Sequence, residues 1–221
     1  AIETIKDIKS WLEKVKSEAR DLIIYYIGHA KHTIKHRQLY LAIKDTQDYD
    51  PEGTSLKVDN LVKAIKYSSF RRYYIFDCCF AATAIADLQG ASEEDLLRST
   101  LEDLTIQANG WTALFSSGKN DASIILPDET NTFFSEALLR VLQNTFISSD
   151  SHFSFATIYP EVNKQLHILY LQYRFHSKVK YPPMAQLASG DISNISIFSK
   201  PKQIIPQLSG RATRTGEKVS S

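Results

Sequence analysis

Cysteine is nearly missing from this sequence: there are two, Cys78 and Cys79, and they are neighbours. Adjacent cysteines rarely bridge, because a disulfide joins Cα atoms about 5.5–6 Å apart while a trans peptide holds them at about 3.8 Å. No structural disulfide is expected, which fits a reducing, cytoplasmic setting. Two cysteines also cannot build a Cys-rich zinc site. Net charge is equally scarce, since 26 Lys+Arg against 25 Asp+Glu leave +1. Without a concentrated basic face the chain is not suited to neutralising phosphates, so direct contact with nucleic acid is not expected. Long apolar runs are absent too. Nothing approaches the roughly 20 residues of a membrane helix, and no secretory signal pattern is present. There is no internal repeat.

What is there reads as alternating helices and strands. Ile2, Ile5, Ile8, Trp11, Leu12 and Val15 recur at helical spacing between Lys and Glu residues. The run Leu22-Ile23-Ile24-Tyr25-Tyr26-Ile27 closes on Gly28 and predicts a fully buried strand. A hairpin strand is expected at Leu39–Ile43, a turn-rich loop at Asp45–Thr54 and a second amphipathic helix through Val58, Leu61, Val62 and Ile65. Tyr73–Phe76 and Trp111–Phe115 predict two more strands, with an acidic helical stretch, Ser92–Leu104, between them. Later helices are expected around Phe133–Val141 and Phe155–Tyr170, with Pro160 tolerable only near a first turn. A last strand is expected at Ile195–Phe198. The order implies an α/β fold, a mostly parallel central sheet flanked by helices in three layers. Residues 1–199 would form the domain, and 200–221, polar and mildly basic, a flexible tail.

In open parallel sheets, sites form beyond the carboxyl ends of the strands. Three predicted strands end in polar or reactive groups: Gly28-His29, Asp77-Cys78-Cys79 and Ser116-Ser117-Gly118. Parallel neighbours would bring a histidine and a cysteine together at their tips. An imidazole beside a thiol stabilises the thiolate nucleophile and can later protonate a leaving amine. Strand alternation puts Asp77 and Cys79 on one side and turns Cys78 to the other, as a small core hydrophobe. Asp77 could then pair with a cationic substrate side chain.

At these residues the chain resembles the caspase-like cysteine proteases, and their metacaspase and bacterial members more than animal caspases. The matching pieces are Leu22–Ala30, Tyr73–Phe80 and Trp111–Gly118, with weaker likeness at Phe133–Leu142 and Pro182-Pro183-Met184. The resemblance implies the three-layer caspase-like fold, His29 and Cys79 as the catalytic dyad, and an oxyanion hole from the backbone N–H groups of Ala30 and Cys79. It implies cleavage after Arg or Lys, with Asp77, Asp121 and Ser117 in the substrate pocket. Animal caspases carry Gln-Ala-Cys at this place and cut after Asp. Ala30 stands where the family has Gly, and Phe80-Ala81-Ala82 where it has Ser-Gly. The family also has a central strand and helix ahead of the segment with which this chain opens, so that strand is expected to be supplied in some way, since unpaired sheet backbone is costly. The resemblance further implies a protein or peptide substrate, an upstream sensor or regulatory domain or subunit, and a place in a bacterial defence or cell-death system, antiviral defence among them. The acidic stretch Ser92–Leu104 reads as a solvated surface insertion or, alternatively, as the holder of a self-cleavage site such as Arg98.

Blander readings stand beside these. His29 could be a core histidine, Cys79 an inert thiol, and Asp77 a helix cap. His29, His32 and His36 lack a fourth zinc ligand, so no metal is expected. Asp45, Asp48 and Asp50 could take calcium, as in some metacaspases, but lack the EF-loop pattern and favour a solvated turn. No cofactor is expected. The rival to a protease is a caspase-like interaction or scaffold module, which Ala30 favours; a thiol acyltransferase on the same dyad is the third reading.

Overall fold

The computed structural model describes residues 1–15, 19–33, 38–65, 70–80, 110–117, 125–128, 130–145, 152–175, 181–189 and 192–199. Its centre is a six-stranded sheet in the order β3-β2-β1-β4-β5-β7. The strands are β1 (Asp21–Thr33), β2 (Gln38–Leu41), β3 (Leu56–Lys57), β4 (Arg71–Phe80), β5 (Trp111–Ser117) and β7 (Met184–Ser189). Strands β1, β4 and β5 are parallel neighbours, while β2 and β7 join antiparallel on either side. Because β3 is antiparallel to β2, four of the six strands run the same way. The expected mixed α/β fold with a mostly parallel sheet is therefore observed.

Strand alternation sorts the core into two layers. On one face Tyr74, Phe76 and Cys78 of β4, with Leu22 and Ala30 of β1, pack under helices α1 (Ile2–Val15) and α3 (Val58–Ile65). On the other, Tyr73 and Ile75 of β4 and Leu114 of β5 pack under α4 (Phe133–Thr145) and α5 (Phe155–Tyr173). Helix α5 begins at a capping box in which Ser154 and Thr157 bond each other's backbone N–H. Pro160 therefore lies in its second turn, beyond the place expected for it.

The structure departs from these expectations elsewhere too: β1 does not stop at Gly28-His29 but runs on to Thr33, held there by its pairing with β2. The β1 run is buried on one face only: Ile23, Tyr25 and Ile27 are 47%, 45% and 55% exposed, and none of them belongs to the buried cluster that α4 and α5 form over β4 and β5, although Tyr25 bonds Ser135 of α4. Met184–Ser189, unrecognised as a strand, forms β7 against β5. The last strand is only β8 (Phe198–Ser199), paired with β6 (His152–Phe153) outside the main sheet. The loop 45–54 contains a short helix, α2 (Pro51–Thr54), whose N-cap Asp50 accepts from the Gly53 N–H at 3.0 Å. The acidic stretch Ser92–Leu104 with Arg98, and the tail 200–221, lie outside the described residues.

The ladder has a definite polarity. Arg71 N–H donates to the Arg20 carbonyl and Arg72 N–H to the Gly110 carbonyl, both at 2.9 Å. With the register of the parallel ladders, even-numbered residues of β1 therefore turn their backbone groups toward β4 and odd-numbered ones turn away. The His29 carbonyl, accepting from Ala42 N–H at 2.8 Å, follows this rule. Strand β2 pairs with β1 only from Ala30 to Thr33, so no strand among the described residues pairs with the outer edge at Ile23, Tyr25 and Ile27.

Candidate functional site

The carboxyl end of β4 lies beside Ala30 of β1, a strand that itself continues along β2 to Thr33. Along one face the register partners run Tyr25↔Ile75, Ile27↔Asp77 and His29↔Cys79. His29 and Cys79 thus occupy directly opposed positions on neighbouring parallel strands, and His29 is exposed. Cys78 points to the opposite face, 1% exposed among Tyr74, Phe76 and the other residues under α1 and α3.

Gly28 lets the strand approach its own tyrosine. The Tyr26 hydroxyl lies within hydrogen-bond distance of the His29 carbonyl at 2.5 Å and the Ala42 carbonyl at 2.8 Å. It does so by arching over Gly28, where φ is +156° and a Cβ would sit 2.8 Å from that hydroxyl oxygen. Tyr26 and Gly28 together fasten the backbone of His29 to the chain leaving β2.

Asp77 is 1% exposed, two register pairs behind His29 and Cys79. Its Oδ2 accepts from the hydroxyls of Thr132 and Ser135, the latter at 2.5 Å. Thr132 precedes the first residue of α4 and also accepts the Ser135 N–H at 3.0 Å. The carboxylate therefore meets the positive end of a helix as well as two hydroxyls. Ser135 has one hydroxyl proton and gives it to Asp77, so at the 2.7 Å contact between Tyr25 and Ser135 it is the phenol that donates. The Tyr25 phenol is held above its ordinary value, first by desolvation and also by the nearby Asp77 charge, against the lowering effect of its bond to Ser135.

The remaining candidates are placed as follows. Ala30 is buried under the α1 and α3 layer and partners both Phe80 and Leu41. By the ladder polarity, the N–H of Ala30 faces the Cys79 carbonyl and the N–H of Cys79 faces the Gly28 carbonyl. Ser117 ends β5 opposite Met184, while its neighbour Ser116 donates to the Cys78 carbonyl at 3.4 Å. Asp121 lies outside the described residues. Thr132, Ser135 and Tyr25 were not anticipated. A threonine just before an apolar helical run was a readable cap signal; that the cap would also hold Asp77 was not.

No helix among the described residues is long and apolar enough to cross a membrane. No protein-family model matches the chain, and no curated protein matches its sequence. Among solved structures it is similar to caspase-1 from Spodoptera frugiperda, with a TM-score of 0.53 and 13% identity over 91% of this chain and 71% of that one. It also matches protein GSU0716 from Geobacter sulfurreducens, with a TM-score of 0.49 and 13% identity over 87% of this chain and 76% of that one. At such identity the likeness to the insect caspase is one of fold: the chain has a caspase-like architecture.

Proposed function

We propose that this chain is a cysteine endopeptidase of the caspase-like type that cuts protein substrates after Arg or Lys. The observation that carries the reading is the direct register of His29 with Cys79 on two parallel neighbours, where β4 ends. Cys79, as thiolate, attacks the carbonyl carbon of the scissile bond. The amine leaves with a proton from His29, and a thioester remains. Water, giving a proton to His29, then releases the acid and restores the thiol. The N–H groups of Ala30 and Cys79 are the oxyanion donors in this reading, and the ladder between the strand tips must part at its last pairs to free them.

Asp77 stands about 7 Å behind the dyad along the strand, two residues of rise. That spacing suits a long cationic side chain on the residue just before the cut, with Asp121 and Ser117 as further pocket candidates. Self-processing and a role in bacterial defence belong to the same proposal and rest on the resemblance alone. A library of peptides varied at that residue tests it. Cys79→Ala should abolish turnover, and Asp77→Ala should weaken recognition of basic residues by roughly 2–5 kcal/mol if the pair is desolvated. Cleavage after Arg or Lys that persists in Asp77→Ala would remove Asp77 from the pocket.

One observation favours a second reading, a caspase-like interaction or scaffold module. Both proposed oxyanion donors face strand carbonyls rather than a cleft. Absence of turnover on every peptide, with binding retained, would support it.

A further inference from the structure

Asp77 shares a sheet face with the positions of the proposed dyad, yet it is 1% exposed. Tyr25 stands on β1 beside Ile75, diagonally behind Asp77, and reaches across to α4 to donate to Ser135. Ser135 in turn donates to Asp77. Tyr25 is 45% exposed while Asp77 is 1% exposed. The phenol is thus the outermost link of a hydrogen-bond chain whose inner end is a buried carboxylate. No strand among the described residues flanks Tyr25 on its outer edge, and its neighbours along the face, Ile23 and Ile27, are themselves half exposed. At 45% exposure the ring is bordered in part by solvent.

We propose that Tyr25 is a specificity-determining residue: a movable lid over Asp77 that yields to a cationic side chain and not to a neutral one. The inference rests on the assignment of Asp77 as the basic-residue pocket. Opening the lid breaks the Tyr25–Ser135 hydrogen bond. A guanidinium or ammonium group replaces it with a charge-assisted bond to the carboxylate, about twice as strong as a neutral one. A neutral side chain of equal length breaks the same bond and leaves Asp77 no better partner. Discrimination then comes from the cost of opening as well as from the attraction itself.

The test uses the full chain carrying Cys79→Ala, titrated by calorimetry with acetyl-arginine methylamide and with acetyl-norleucine methylamide as the neutral control. Adding Tyr25→Phe keeps the ring and removes the bond that holds it shut. Binding of the arginine compound should tighten about fivefold, the equivalent of one ordinary hydrogen bond no longer opposing the open state. Tyr25→Leu, which removes the ring edge as well, should tighten it at least as much. Thermal melting checks that each variant is folded. As a direct readout, the ring resonance of Tyr25 in the otherwise unaltered Cys79→Ala chain should shift with arginine compound and stay put with norleucine compound. Equal or weaker arginine binding in both Tyr25 variants, with arginine still preferred over norleucine, would overturn the lid and leave the pocket standing. No preference for arginine in any variant would overturn the pocket and the lid together.

Discussion

His29 and Cys79 are register partners: β1 and β4 run parallel and place the two at the same height on adjacent strands. Neither residue is near the other in sequence. What joins them is an unbroken register that starts at the Asp21–Arg71 ion pair, where Arg71 Nε lies 2.6 Å from Oδ1 and Nη2 2.7 Å from Oδ2. A slip of one residue would turn one of the two positions to the opposite face.

Gly28 should not tolerate a side chain. A methyl group there meets the Tyr26 hydroxyl at 2.8 Å, in a backbone conformation that L-residues rarely adopt. Gly28→Ala is expected to lower stability by about 1–3 kcal/mol in urea unfolding. Removing the hydroxyl with Tyr26→Phe should recover part of that loss, so the double variant is expected to be more stable than the sum of the two single costs. Strict additivity would mean that the hydroxyl is not what Gly28 accommodates.

Alkaline pH should weaken the fold through its buried phenols. Tyr74 is 1% exposed, and burial pushes its hydroxyl well above the ordinary value, with Arg72 acting weakly the other way. Tyr25 and Tyr73 shift in the same direction, again chiefly by desolvation. The folded chain therefore holds protons that the unfolded chain has released. This contribution is complete below about pH 10, the unfolded tyrosine value, and is lost progressively as pH rises above it. The urea midpoint should fall as pH rises above about 10, and the fall should be shallower in Tyr74→Phe. An identical slope in the variant would assign the effect elsewhere.

Hydrogen exchange should alternate along β1. The amides of Leu22, Ile24, Tyr26 and Gly28 face β4, while those of Ile23, Tyr25 and Ile27 face the outer edge. The second set should exchange faster by on the order of tenfold or more. Equal protection of both sets would show that a strand lies along that edge.

Much of this was readable in advance, for a physical reason. Strands β1, β4 and β5 contain apolar runs rich in aromatic and β-branched residues, which give way to Gly28, Asp77 and Ser116 before the strands end. Such runs fix both the strands and the side of the sheet where polar groups collect. Strand β7, Met-Ala-Gln-Leu-Ala-Ser, has no β-branched or aromatic residue, so only its pairing with β5 makes it a strand. The exposure of Ile23, Tyr25 and Ile27 was hidden because a continuous apolar run looks the same whether one face or both are covered. The partners of Asp77 were illegible because Thr132 and Ser135 reach it only after α4 has docked, 55 and 58 positions along the chain.

The central claim is that Cys79 is a nucleophile served by His29. The most direct measurement is active-site labelling of the full chain with an acetyl-arginine chloromethyl ketone, the modified residue being located by peptide mass spectrometry. The expected result is one label, on Cys79, with the rate falling by on the order of a hundredfold or more in His29→Ala. Labelling of Cys78 instead, or of neither cysteine, or labelling of Cys79 at the same rate without His29, would contradict it.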